Sequence, residues 1–223
     1  MDKNLELFLK LNKLFSEHGY KLFLVGGTVR DYLLGVPLMD MDAVTDALPS
    51  EMKEFLPDAN YTFERYGSVT IKLDKKVKFD ITTLRKETSY EDSRHPSKIE
   101  FVKDLSIDVN RRDFTINGLY LDSNLQVIDY VGGEKDLKNR VLRMIGDPDL
   151  RLKEDPLRIV RAIRFASDFD LSVDSELEMA IKNNVNELQK LNKDKINQDL
   201  KKCNLDKQSI VLQYLQKFNI KLD

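Results

Sequence analysis

What this chain has little of narrows the reading first. It holds one cysteine among 223 residues, so no internal disulfide can form, and a reducing compartment is expected. Cys203 itself reads as a buried, idle thiol. Charge of one sign is not in excess: the formal net charge is −2, which excludes a polycation that grips nucleic acid by bulk charge. Any such contact must use local basic patches. Long apolar runs are missing too. The N-terminus is no signal peptide, because charged residues break every apolar stretch, and no segment is long enough to span a bilayer. The expected location is the cytoplasm, with no membrane partner. Histidine occurs twice, as His18 and His95, and neither has a partner at a telling spacing. Glycine stops after Gly146 and proline after Pro156, and there are no repeats or low-complexity tracts.

What is present falls into two textures. Leu7, Phe8, Leu11, Leu14 and Phe15 recur at helical spacing and predict an amphipathic packing helix. Lys21 to Val25 reads as a strand, Thr28 to Leu34 as a helix stopped by Gly35 and Pro37, and Met41 to Val44 as a second strand. Asp46 to Ser50 reads as a turn entering a helix, with Ser50 or Asp46 as its cap. Gly67 to Leu73 and Lys76 to Thr82 form a hairpin pattern about Asp74-Lys75. Arg85 to Lys98 is polar and non-periodic, with Pro96 inside it, and is expected to be a mobile loop. A short helix after Arg111 and a hairpin around Asp122 to Asn124 follow, and Gly132-Gly133 closes this half. From about Asp149 the pattern is helical: Ile159, Ile163 and Phe165, then Leu177, Ile181 and Val185, then Leu212, Leu215 and Phe218. The expectation is an α+β head over residues 1–147, a mixed sheet with flanking helices, followed by an all-helical neck over 148–223.

The chemistry-bearing residues gather in the head. Asp40 and Asp42 are two apart in a predicted strand, so both fall on one face. Two adjacent carboxylates repel, and a divalent cation relieves the repulsion. Magnesium suits one or two carboxylates, with water and substrate phosphates completing its octahedron. An isolated Asp-x-Asp is ordinarily a pair of solvated acids. Here Gly26-Gly27 lies just upstream, ending a strand and opening a helix whose first N–H groups suit phosphate oxygens. Arg30, in the first helical turn, can add a charge-assisted bond to a triphosphate. Asp31 reads as a helix-start charge in preference to a positioning group. Asp80, in a strand able to run beside the first pair, is a candidate third carboxylate or a plain exposed acid.

Three long motifs give the chain a likeness. The run Leu24 to Thr45, the run Arg111-Arg112-Asp113-Phe114-Thr115-Ile116-Asn117, and the run Glu154-Asp155-Pro156-Leu157-Arg158 through Phe165 resemble the class II tRNA nucleotidyltransferases. These are the CCA-adding enzymes and their bacterial poly(A) polymerase relatives, within the DNA polymerase beta superfamily. The resemblance implies a head that holds two magnesium ions and a helical neck that reads the incoming base. It assigns Asp40 and Asp42 to the metals, and Gly27 and Arg30 to the triphosphate. Arg112 with Asp113 would orient ribose and phosphates, while Asp155, Arg158, Arg161 and Arg164 would line the nucleotide pocket.

The last assignment also has a direct argument. Residues 155, 158, 161 and 164 are three apart and share a helix face with modest drift. Cytosine and adenine each present an amino donor beside a ring-nitrogen acceptor. An aspartate accepts from the first and an arginine donates to the second, so Asp155 and Arg158 form a template for C and A. Uracil and guanine reverse the pattern. Arg161 and Arg164 suit phosphate, or bracing of the aspartate, better than base reading.

Two further runs bear on the family member. Tyr90-Glu91-Asp92-Ser93-Arg94 resembles the flexible loop of complete CCA-adding enzymes, and Arg65-Tyr66-Gly67-Ser68-Val69 resembles their pattern more than that of the poly(A) polymerases. The family's later neck run is replaced here by Asn192 to Leu200, which keeps the charge signs but puts lysine where arginine is usual. The expected activity is addition of CMP and AMP, from CTP and ATP, to the tRNA 3′ end. The alternatives are an A-adding or poly(A)-type enzyme, or a non-catalytic half of a split one. Because the chain ends at Asp223, soon after the neck, the expected grip on tRNA comes from a removed C-terminal portion, a separate partner or a homo-oligomer.

Overall fold

The computed structural model describes residues 2–74, 77–90 and 96–220. The chain divides into two compact units. The first comprises Met1–Ser89, Ser97–Arg112 and Ile116–Gly133; the second comprises Tyr90–Pro96, Asp113–Thr115 and Glu134–Asp223.

The first unit is a six-stranded mixed sheet with helices. Its strands are β1 (Leu22–Val25), β2 (Asp40–Thr45), β3 (Ser68–Asp74), β4 (Val77–Thr83), β7 (Leu119–Leu121) and β8 (Val127–Asp129), in the order β3-β4-β2-β1-β7-β8. Neighbours are antiparallel except β2 and β4, which run parallel with Asp42 opposite Asp80. Helix α1 (Lys3–Glu17) buries Leu5, Phe8, Leu11 and Phe15 against this sheet, with Leu7 and Leu14 only partly covered. Full burial of an aromatic such as Phe8 or Phe15 contributes about 2–3 kcal/mol. Phe15 also meets Phe55 of α3 (Pro49–Phe55) edge-on at 5.0 Å. His18 caps α1, its ring against the Leu14 carbonyl and stacked on Phe55. His95 lies outside the described residues.

Two expectations are corrected here. The α3 N-cap is Leu48, not Ser50 or Asp46. The Glu51 carboxylate accepts from the Leu48 N–H, and Pro49 presets the first helical φ, so an apolar cap is tolerated. Asp46 instead accepts from the Lys21 N–H, tying the sheet ends together. The polar stretch read as a loop is paired: β5 (Arg85–Tyr90) and β6 (Pro96–Phe101) form a two-stranded sheet. Pro96 is the first residue of its strand, a place that tolerates a missing donor. Residues 91–95, which include Glu91 to Arg94 of the run that resembles the flexible loop, lie outside the described residues. The Gly67 turn before β3 sits at φ +79°, and a Cβ there would meet the Phe101 ring at 2.7 Å, so only glycine fits.

The second unit is mainly helical. It contains α5 (Gly133–Lys138), α6 (Pro148–Glu154), α7 (Leu157–Asp168), α8 (Ser175–Asn184), α9 (Lys193–Leu200) and α10 (Gln208–Lys217). A short parallel pair, β9 (Val141–Leu142) and β10 (Ser172–Val173), accompanies them. The α7 core face carries Ile159, Ile163 and Phe165, all buried as the periodicity predicts. On α10, Leu215 is buried as expected and Phe218 just beyond it, but Leu212 is 58% exposed and Val211 takes the inward place. No helix among the described residues is long and apolar enough to cross a membrane.

Candidate active site

In the first unit, the site grows out of the β1–α2 turn. Helix α2 (Gly27–Leu33) starts immediately after Gly26, whose φ of 66° and ψ of −130° suit only glycine. The Gly26 N–H is spent on the Leu119 carbonyl, which fixes the turn to β7. Thr28, on the first turn of α2, accepts the Asp42 N–H through Oγ1 at 2.9 Å. The diglycine turn and the aspartate strand are therefore one hydrogen-bonded piece.

Strand β2 opens with Asp40, in register with Lys78, and carries Asp42, exposed and in register with Asp80. In a parallel pair, register partners share a face, so Asp42 and Asp80 stand side by side. Asp80 accepts from Thr70 Oγ1 and from Lys78 Nζ, each at 2.6 Å, a neighbourhood that offsets carboxylate repulsion. Among the described residues, no three His, Cys, Asp or Glu side chains gather closely enough to hold a metal ion. Magnesium does not require such a cage, since one or two carboxylates plus substrate phosphates suffice. The donors here fit that requirement.

Two guanidinium groups flank the diglycine turn. Arg30 is nearly buried; it donates from Nε and Nη2 to Asp31, and from Nη1 to Asn117 at 2.7 Å. A Cβ on Gly27 would lie 3.4 Å from Arg30 Nη2. Arg30 thus packs against the turn and braces it, and Asp31 is its partner rather than a helix-start charge. On the other flank, Arg112 places Nη1 3.6 Å from where a Gly26 Cβ would be.

In the second unit, the neck residues are held by carboxylates. Asp113–Thr115 is annexed to this unit by backbone: the Ile145 N–H donates to the Asp113 carbonyl, and the Thr115 N–H to that of Arg143. Asp113 accepts from Nε and Nη2 of Arg161, and that carboxylate raises the already high Arg161 pKa despite burial. Arg164 donates to Asp199 of α9 at 2.7 Å. Asp155 closes α6 in extended backbone and accepts the Leu157 N–H, so it precedes α7 and does not share a helix face with Arg158, Arg161 and Arg164 as the three-residue spacing predicts. Arg158 is buried and turned onto the Arg151 carbonyl and Glu154. Asp108, Asn117, Thr28 and Asp199 carry no assigned role in the sequence reading; Thr28, Asn117 and Asp199 lie inside the runs quoted there, and the i,i+4 spacing of Asp108 and Arg112 is the signal for the fourth.

Residues 22–143 match the family described as the poly A polymerase head domain. The chain belongs to this family, that of the class II tRNA nucleotidyltransferases. It is 43% identical over 175 residues to the CCA-adding enzyme of Ligilactobacillus salivarius, covering 78% of this chain and 43% of that one. With the CCA-adding enzyme of Lactobacillus helveticus it shares 38% over 226 residues, covering 100% of this chain and 55% of the relative. The chain thus spans about half the length of the curated relatives it matches. Among solved structures, the Bacillus stearothermophilus CCA-adding enzyme in complex with CTP superposes with a TM-score of 0.81 at 30% identity, over 90% of this chain and 48% of that one. A tRNA nucleotidyltransferase complexed with a primer tRNA and an incoming ATP analog gives 0.78 at 30% identity, over 94% and 60%. The fold is the α+β head and helical neck expected from the sequence.

Proposed function

We propose that this chain transfers CMP and AMP, from CTP and ATP, to the 3′ end of tRNA. The observation that carries the reading is the register of Asp42 with Asp80, hydrogen-bonded through Thr28 to a diglycine turn flanked by two arginines. Asp40 and Asp42 would hold magnesium, which supplies Lewis-acid stabilisation of the α-phosphate and the leaving pyrophosphate. Gly26, Gly27 and Arg112 would receive the triphosphate, with Arg30 keeping the turn in shape. Asp80 is a supporting carboxylate, already bonded to Thr70 and Lys78. In the neck, Asp155 and Arg158 would choose C and A over U and G by their donor and acceptor pattern. Arg161, with Asp113, and Arg164 would fix α7, which carries Arg158 and begins just after Asp155.

One solved relative is in complex with CTP and another with a primer tRNA and an incoming ATP analog, and those ligands suit the residues found here. The test uses tRNA ending before, within and after the CCA sequence, with each nucleotide given separately. CTP incorporation on the shortest primer, followed by ATP on the C-ended one, is the expected result. Incorporation of ATP alone, whatever the primer, would replace this reading with a poly(A)-type one. Binding without any incorporation, even at low salt and high protein, would leave a nucleotide-binding module that needs a partner.

A further inference from the structure

Asp108 ends the short helix α4 (Leu105–Asp108), and its side chain is wholly buried. A buried carboxylate is costly unless its lone pairs are satisfied. Here both oxygens are. Oδ1 accepts from the Arg85 N–H at 3.1 Å and from Arg111 Nε at 2.8 Å. Oδ2 accepts from Arg112 Nε at 3.2 Å, Arg112 Nη2 at 2.9 Å and the Tyr120 hydroxyl at 2.9 Å. Burial raises its pKa, but Arg111 and Arg112 more than offset that, and the group is held at about 2. Arg112 lies over the Tyr120 ring as well, 5.2 Å from its centroid.

These contacts take one edge of the Arg112 guanidinium. The Nη1 edge is the one that reaches the Gly26 turn. A guanidinium is planar, so fixing Nε and Nη2 fixes where Nη1 points. A lysine at 112 would keep the charge and lose the aim.

We propose that Asp108 is a positioning residue for triphosphate binding: it grips Nε and Nη2 of Arg112 and thereby turns Nη1 toward the Gly26 turn. The inference rests on the functional reading above. It does not make Asp108 a catalytic residue, since the carboxylate acts through Arg112. A purely structural Asp108 would instead only hold α4 to the start of β5.

A double-mutant cycle separates these roles, with CTP and magnesium as the titrated probe. Asp108→Asn is expected to weaken CTP binding about tenfold in the parent background, and less than twofold when Arg112→Lys is already present. Arg111→Lys disturbs the other oxygen of the same carboxylate. It should lower the melting temperature while leaving CTP affinity within twofold. Equal loss in both backgrounds, or unchanged affinity in Asp108→Asn, would overturn the proposal while the parent chain still binds CTP. A parent chain that binds no CTP would overturn the functional reading and this inference with it. If Asp108→Asn does not fold, Tyr120→Phe removes one donor from the same oxygen and carries the cycle, with an expected loss of about threefold.

Discussion

The two units hold their arginines by opposite means. In the first, Arg30 and Arg112 are each fixed by acceptors from the sheet and its connections, Asn117 and Asp108. Both reach the diglycine turn. In the second, Arg161 and Arg164 lie on one helix, and each is pinned by an aspartate far away in sequence, Asp113 and Asp199. The first arrangement aims charge at a turn; the second uses charge to tie one helix to distant segments of the chain. Arginine content alone says nothing about which of the two a given residue does.

The comparison can be broken by substitution. The largest effect is expected from Asp42→Ala, which should lower nucleotide incorporation about a thousandfold by removing a carboxylate proposed to hold magnesium. Because Asp42 is exposed, the melting temperature should barely move; a large fall would place Asp42 among structural groups. Asp199→Ala should do the reverse, costing about 2 kcal/mol in urea unfolding by leaving a mostly buried Arg164 with only the more distant Asp168 carboxylate at 4.0 Å. A stability unchanged by that variant would show that the neck does not depend on the pair.

Asp155→Ala tests the neck's other role. Discrimination of C and A against U and G should fall about tenfold, with a loss of about 1 kcal/mol from the vacated Leu157 N–H. Equal loss of all four nucleotides would count against a base template. The pH dependence should be smaller. Asp108 is depressed in the folded state to about 2, so its contribution is fully present above its unfolded pKa near 4 and fades as pH falls through about 2. Asp108→Asn should flatten that acid limb of the stability curve. Without bearing on the site, Cys203, pushed up to about 12 by burial and by Asp168, should react with a thiol reagent at pH 8 more slowly than in unfolded chain, by a few-fold or more.

Much of this was legible beforehand, for reasons that can be named. Strand β1, helix α2 and strand β2 follow from short-period patterns punctuated by glycine and proline, which act locally. The Asp-x-Asp pair and the diglycine turn are likewise local. The Arg85 to Lys98 stretch was misread because a two-stranded sheet gives little apolar alternation to detect. Sequence shows the charge of Arg30 but not that Asn117, 87 residues on, accepts from it. Leu212 was placed inward because Val211 beside it fits the same helix one step round, and a single step decides which is buried.

The parallel pairing of β2 and β4 has a consequence for how the site comes into being. Two strands that run the same way cannot be joined by a tight turn, and here the connection passes through α3 and β3 before β4 returns. Asp42 and Asp80 therefore meet only across a long loop closure, a contact of the kind that forms late and slowly. A head stopped before Val77 would keep both aspartates of β2 and the glycine turn, yet it would have no strand to bring the third carboxylate beside them.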